Sequence, residues 1–321
     1  MEVTSKVAVV AIGGNALTRE DQPGAVRQIE ENAAQMAAGI CSLAETGWQV
    51  VVVHGNGPQV GNLIIQQEAG ADLVPPQPLN VLNAMTEGQL GSALVRAIDS
   101  IRGAGSAAAL VSHMTVSPDD PAFRHPTKPI GPFFDAARAE HMQRERGWVM
   151  AEDSGRGYRR VVASPAPRDL LEIAALRALL ASGVIVLAAG GGGVPVTEAA
   201  PGAFTMVDAV IDKDLAAARV AGAIGAQALL LVTAVDAVQV NFGTPRARVV
   251  SVMDTDLAER YLAEGQFPPG SMGPKIRAAV SFVRWSGGSA VVTSAANMAD
   301  ALAPGAAVGT RIVPATVMSR T

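Results

Sequence analysis

The chain is poor in lysine, cysteine and aromatic residues. Of its 25 basic residues only four are lysines (Lys6, Lys128, Lys213 and Lys275), and the rest are arginines. A single cysteine, Cys41, excludes an intrachain disulfide and suits a reducing, cytoplasmic setting. Charged residues make up 17% of the 321 positions, against about 25% in average soluble chains. With a net charge of −4 and 4% aromatics, the chain has no bulk attraction for nucleic acid or an anionic membrane surface. No run reaches the roughly 18 unbroken apolar residues of a membrane-spanning helix. The opening MEVTSKVAVVAIGGNAL turns glycine-rich too early for a signal peptide. The 49% of hydrophobic residues and a mean hydropathy of +0.27 therefore point to a large core in a water-soluble protein.

What is present is a rhythm. Apolar runs of strand length recur at residues 7–12, 50–54, 107–112, 184–189, 228–232 and 290–293. They are rich in Val, Ile and Leu without polar alternation, as in parallel strands buried on both faces. Amphipathic segments of helix length lie between them, at 24–46, 78–102, 167–182, 215–225 and 274–285. This alternation predicts an α/β fold, helices covering both faces of an open, mostly parallel sheet. Residues 113–162 break the rhythm with prolines, a charged helix and a hairpin around residues 153–157. They read as a small subdomain inserted between sheet strands.

Ligands of such sheets bind where strands end in glycine-rich loops. Gly13-Gly14-Asn15 follows the first run, Gly55-Asn56-Gly57 the second, and Gly190-Gly191-Gly192-Gly193 the fourth. Each alone could be a tight connection; three, all directly after buried runs, favour backbone that approaches an anion closely. None is followed by the Gly-Lys-Ser/Thr of a Walker A loop, and none has the acidic partner of a dinucleotide fingerprint. No cysteine–histidine cluster has zinc spacing. His54 ends a buried run, a position open to a substrate contact or to an ordinary hydrogen-bonded core histidine.

The lysines are more specific. A compact ammonium serves as a point charge against phosphate, a role arginine does not duplicate. Lys128 lies in Pro-Thr-Lys-Pro, Lys213 in Asp-Lys-Asp and Lys275 in Gly-Ser-Met-Gly-Pro-Lys, whereas Lys6 reads as an ordinary solvated charge. Lysines together with glycine-loop N–H donors suggest phosphoryl transfer, in which catalysis is chiefly positioning and charge stabilisation. Asp212 reads as the carboxylate that orients the lysines, and Asp214 as a residue of a helix's first turn.

Over almost its whole length the sequence resembles the carbamate kinases of the amino acid kinase superfamily. The resemblance runs through AIGGNAL (11–17), HGNGPQVGNL (54–63), AMTEGQLG (84–91), DDPAFRHPTKPIGPF (119–133) and YRRVVASPAP (158–167). It continues through AAGGGGVPV (188–196), AVIDKDLAA (209–217), LLVTAVDAVQVNFGTP (230–245) and GSMGPKIRAA (270–279). The PTKPIGPF and GSMGPK pieces mark carbamate kinases within the superfamily. The resemblance implies a three-layer αβα sandwich, reversible phosphoryl transfer between carbamoyl phosphate and ADP, and a homodimer. It implies an N-terminal lobe (1–183) that holds carbamate through Gly13, Gly14, Asn15, Gly55, Asn56, Gly57, Gly191 and Gly192. The inserted lid (113–162) would bring Lys128, in place of a lysine absent from Ala11-Ile12, onto the transferring group beside Lys213 and Asp212. A C-terminal lobe (184–321) would hold ADP or ATP through Lys275, Gly273, Met272, Asp208, Thr233 and Asp236, with Mg2+ carried by the nucleotide phosphates rather than by a protein metal site. The readings beside it are a related enzyme phosphorylating another small carboxylate and a non-catalytic nucleotide-binding relative. The chain departs from the family pattern at Asn80 (usually Asp), Ser117 (usually Asp), Asp208 (usually Glu) and Gln239 (frequently aromatic).

Overall fold

The computed structural model describes residues 6–315 except Glu20, Ser154 and Pro269. The first part of the chain forms β1 (Lys6–Ile12), α1 (Val26–Glu45), β2 (Trp48–His54), α2 (Gly57–Gly70), α3 (Leu79–Arg102), β3 (Ala107–Ala109) and β4 (His113–Thr115). The middle forms β5 (Lys128–Phe134), α4 (Ala136–Arg146), β6 (Met150–Glu152), β7 (Tyr158–Val162), α5 (Ile173–Ala181), β8 (Ile185–Leu187), β9 (Val194–Ala200) and β10 (Ala203–Met206). The last part forms α6 (Lys213–Ala223), β11 (Ala228–Thr233), β12 (Val238–Val240), β13 (Arg248–Val250), β14 (Val252–Asp254), α7 (Thr255–Ala263), α8 (Met272–Ser286), β15 (Ser289–Ser294) and β16 (Thr310–Val313).

The main sheet has eight strands in the order β14-β16-β15-β11-β1-β2-β8-β3. Strands β15 through β3 run parallel, and β16 turns antiparallel to β15 at one edge. Alternate residues of a strand face opposite sides, so β1 feeds two cores. Val9 and Ala11 pack among the residues of α5, α6, α7 and α8 on one face, while Ala8, Val10 and Ile12 pack among those of α1 and α3 on the other. That is the three-layer αβα arrangement expected from runs without polar alternation. Alanine-rich faces, with Ala217, Ala218 and Ala221 on α6 and Ala278 and Ala279 on α8, let these two helices share one core.

Where the segments differ from expectation, backbone pairing explains it. The helix expected from residue 167 starts at Ile173, because Arg168 N–H donates to the Thr115 carbonyl and Leu171 N–H to that of His113, holding 168–171 extended along β4. The strand expected over 107–112 ends at Ala109, and His113–Thr115 instead pairs with β9. The glycine cluster after β2 opens a helix, α2, rather than only a loop. Its Gly61 sits where an added Cβ would lie 3.3 Å from Gly131 Cα, so helix and β5 touch backbone to backbone. Strands β5, β7 and β6 form a separate antiparallel sheet, with the hairpin around 153–157 closed by a 2.8 Å bond from Asp153 N–H to the Gly157 carbonyl. Ile130 and Val162 of that sheet pack on Val60, Ile64, Leu79 and Leu82 of the body.

Candidate active site

The glycine loops converge at the carboxyl edge of the main sheet. Beyond Ile12 the chain makes a tight turn, with Gly55 N–H donating to the Ile12 carbonyl at 2.8 Å. Gly55 leaves no room for a side chain: an added Cβ would lie 2.6 Å from Gly14 N and 2.9 Å from Lys213 Cδ. Gly191, at φ +64°, is crowded in the same way: an added Cβ would clash with the Asn56 side-chain amide. That amide is held by Asn83 and Thr86 of α3, at 2.5 and 2.8 Å. Together with the N-termini of α2, α6 and α8, these loops border a cleft of about 720 Å³. Unpaired N–H groups and helix dipoles at such ends favour anions.

Charge in the cleft is arranged as a relay of ion pairs. Lys128, at the start of β5, reaches across 84 positions of sequence to place its Nζ 2.7 Å from Asp212 Oδ2. Asp212 also caps α6 by accepting the Asp214 N–H at 3.0 Å. Asp214 lies between the other two lysines. Lys213 Nζ is 2.7 Å from its Oδ1, and Lys275 Nζ is 3.0 Å from its Oδ2. Asp214 and Lys275 are 3% and 7% exposed, so these charges act with little screening by water.

The ionisation follows from that packing. Burial alone would raise the Asp212 pKa, but the Lys128 ammonium, then Lys213 and the Asp214 N–H, outweigh it and hold the group at about 2. Burial opposes ionisation of Asp214 too, and Lys213 and Lys275 pull it below the usual carboxylate value. Lys213 is raised above an ordinary lysine, because Asp214 and Asp212 together outweigh its burial. Lys275 is pushed down to about 8 by burial and by the neighbouring Lys213 ammonium, against the pull of Asp214. Beside Lys128 the cleft therefore offers two firmly charged carboxylates, the firmly charged Lys213, and Lys275, which titrates just above neutrality.

The cleft gathers many of the residues singled out in the sequence: Gly13, Gly14, Asn15, Gly55, Asn56, Gly57, Gly191, Lys128, Asp212, Lys213, Lys275 and Thr233 all line it. Others lie elsewhere. Gly192 packs on the Ile211 carbonyl, and Gly273 approaches the Pro268 carbonyl. Met272 packs on the core of the α6–α8 face. Asp236 accepts a bond from Asn297 Nδ2 at 3.1 Å. Asp208 accepts one from Asn80 Nδ2 at 3.1 Å and lines a different cavity. His54 is a buried core histidine whose Nδ1 lies 3.2 Å from the Gly55 carbonyl; burial pushes its pKa down to about 4. Among the described residues no group of three or more His, Cys, Asp or Glu side chains could hold a metal ion, and none of the helices is long and apolar enough to cross a membrane.

Sequence reading passed over Asp214 as the shared counter-ion, and over Arg19 and Arg159, which also line the cleft. Arg159 is fixed by bonds from Nε to the Gly131 carbonyl and from Nη1 to Asp153 Oδ2, at 3.0 and 3.1 Å. Nothing in a chain with so many arginines distinguished these two, whereas the Asp-Lys-Asp triplet did contain the signal for Asp214.

The crowding at Gly55 gives a direct expectation. A methyl there must displace the Gly14 backbone or the Lys213 stem. Since a shift of about 1 Å at a reacting group can cost about 10²-fold, Gly55→Ala should lower kcat by about that factor. Steady-state kinetics, with circular dichroism to check the fold, read the effect.

These features define the class of protein. The chain belongs to the amino acid kinase family, whose model matches residues 6–294. Within that family it is similar to the carbamate kinase of Pyrococcus furiosus, at 39% identity over 315 residues, covering 96% of this chain and 99% of the relative. The structure of carbamate kinase from Giardia lamblia bound to AMP-PNP aligns with a TM-score of 0.89 and 34% identity, covering 97% of this chain and 99% of that one. A crystal structure of a protein from Aeropyrum pernix K1 aligns with a TM-score of 0.90 and 36% identity, covering 97% of this chain and 100% of that one.

Proposed function

We propose that this chain is a carbamate kinase that moves the phosphoryl group of carbamoyl phosphate to ADP, giving ATP and carbamate. Carbamate then breaks down to ammonia and carbon dioxide. The observation that carries the reading is the cleft in which Lys128, Lys213 and Lys275 meet over two aspartates, in a chain 39% identical to a carbamate kinase over nearly its full length.

In the reaction the bond from phosphorus to the carbamate oxygen breaks, and that oxygen keeps the electron pair. A β-phosphate oxygen of ADP forms the new bond. Both oxygens are anionic, so no proton has to move and no general base is required. Negative charge spread over the transferring group is the quantity to stabilise. In this reading Lys213 and Lys128 supply it from two sides, and Lys275 takes nucleotide phosphate. Asp214 and Asp212 keep the ammoniums charged and aimed without offering the substrate a nucleophile. The lobe 1–183 would carry the carbamate end and 184–321 the nucleotide end, with 113–162 closing over them to exclude water. Mg2+ would supply further charge neutralisation. With both cleft aspartates committed to lysines, the donor set fits a metal borne by the nucleotide's own phosphates. A homodimer, a cytoplasmic location and a role in arginine breakdown complete the reading and rest on the resemblance.

The acceptor is tested in the ATP-consuming direction. ATP turnover should depend on ammonia and bicarbonate supplied together, and acetate or glutamate should not replace them. Turnover with acetate at an equal rate would overturn the assignment.

Lys275 gives a pH dependence with a defined sign. Its pKa of about 8 in the free protein means that it is charged below pH 8 and loses its proton above it. Phosphate binds the charged form, so the KM for ADP should be flat below pH 8 and rise by up to about tenfold per pH unit above it. Lys275→Met should raise the KM for ADP and flatten the profile.

A further inference from the structure

A second cavity, of about 350 Å³, lies between the β5–β7 sheet and the helices α2 and α3. It shares no lining residue with the active cleft. Strand alternation explains how β7 serves both: Arg159 lines the cleft, and its neighbour Arg160 lines the cavity. The Arg160 guanidinium stacks over the Trp148 ring at 4.7 Å, and burial makes its charge costly. Among the described residues no hydrogen-bond acceptor or ion-pair partner touches it, and the Asp208 and Glu68 carboxylates offset its burial only in part, through space. Arg146, on the same wall, is already paired with Glu68 at 3.1 Å. The remaining acid is Asp208, which accepts from Asn80 Nδ2 at 3.1 Å through Oδ1 and has no partner on Oδ2 among the described residues.

Arg160, partly buried, and Asp208, exposed, line the same cavity without a direct contact, and a guanidinium drawn out of water without a hydrogen-bonded acceptor is unfavourable. A simple anion would satisfy Arg160 and be repelled by Asp208. A molecule that carries both charges satisfies each.

We propose that this cavity binds a free α-amino acid, its carboxylate held by Arg160 and its ammonium by Asp208. A guanidinium takes a carboxylate through two parallel N–H bonds, and about 300–1,000 Å³ is the range of small-ligand pockets. Binding would tie β7 to the segment around Asp208, which Asn80 of α3 holds. Because Lys128 pairs with Val162 of β7 and Ile130 with Arg160, the occupant would brace the strand that carries Lys128, which makes the site a regulatory one.

Isothermal titration of the full-length protein without nucleotide or carbamoyl phosphate tests the binding separately from the catalytic reading. The probes are glycine, L-alanine, L-glutamine and L-glutamate, with acetate and ethylammonium as carriers of one charge only. At least one amino acid should bind saturably, at least about tenfold more tightly than either control, a difference of about 1.4 kcal/mol. Arg160→Gln should weaken it by at least about tenfold. Asp208→Glu should do the same, because the longer acid reaches Arg160 and fills its place; this conservative change keeps the test decisive should Arg160→Gln fold poorly. No saturable binding by any amino acid, equal binding of acetate, or unchanged affinity in both variants would overturn the proposal.

Discussion

Replacing Lys213 with methionine is expected to lower kcat by about 10³-fold while the protein stays folded. The magnitude is that of removing one preorganised donor from a developing negative charge in a water-poor site. The fold is expected to survive because methionine retains most of the apolar stem that packs on Gly55. Asp214 also keeps Lys275 at 3.0 Å, and Asp212 keeps Lys128 at 2.7 Å. Lys213→Arg should fail nearly as badly. The stem already fills the space above Gly55, where an added Cβ would be 2.9 Å from Lys213 Cδ, and a planar guanidinium needs more width than an ammonium. Kinetics of the two variants separate charge from shape: recovery of wild-type turnover by arginine would show that charge alone suffices.

Asp214→Asn is expected to damage stability as well as turnover. It strips the shared counter-ion from two lysines, one of them 7% exposed. Breaking a buried pair by removing one partner costs about 3–5 kcal/mol. The pH dependence has a defined sign. Lys275 already has a pKa depressed to about 8, and loss of Asp214 depresses it further, while in the unfolded chain it returns to about 10.4. Between those values the unfolded state binds more protons, so stability of the variant rises with pH. The wild type shares that slope above its own Lys275 value of about 8, so the Lys275 part of the deficit should be largest below the variant's lowered value, narrow up to about pH 8 and stay level above it. Denaturant unfolding across that range measures it; a deficit that grows with pH would contradict the account.

How much of this was readable in the sequence depends on how local the determinant is. Strand β1 was plain, because Ala8 to Ile12 are all apolar and a parallel strand needs both faces filled. The glycine loops were plain for the same local reason. Helix α2 was hidden, since a segment with Gly57, Pro58 and Gly61 has weak helix propensity. Proline is tolerated in its first turn, and Gly61 is required by the approach of Gly131, a contact that propensity does not contain. Helix α7 was missed although Asp254 caps it by accepting the Leu257 N–H at 2.7 Å, a short-range signal that was available. In the site, three lysines stood out because so few exist. Asp212 was read as the carboxylate that orients them, while its contact with Lys128, 84 positions away, is set by the fold rather than by any local pattern. Asp214 was read as a first-turn acid that favours the helix dipole. It holds that position in α6 and also receives both Lys213 and Lys275, which a one-dimensional reading does not reveal.

The decisive measurement is ATP formation from carbamoyl phosphate and ADP by the purified protein with magnesium present, followed by a coupled assay. Steady ATP synthesis is expected, falling by about 10³-fold in Lys213→Met and abolished in Lys128→Ala. No ATP from the folded wild-type protein, or full activity in both variants, would contradict the proposed function.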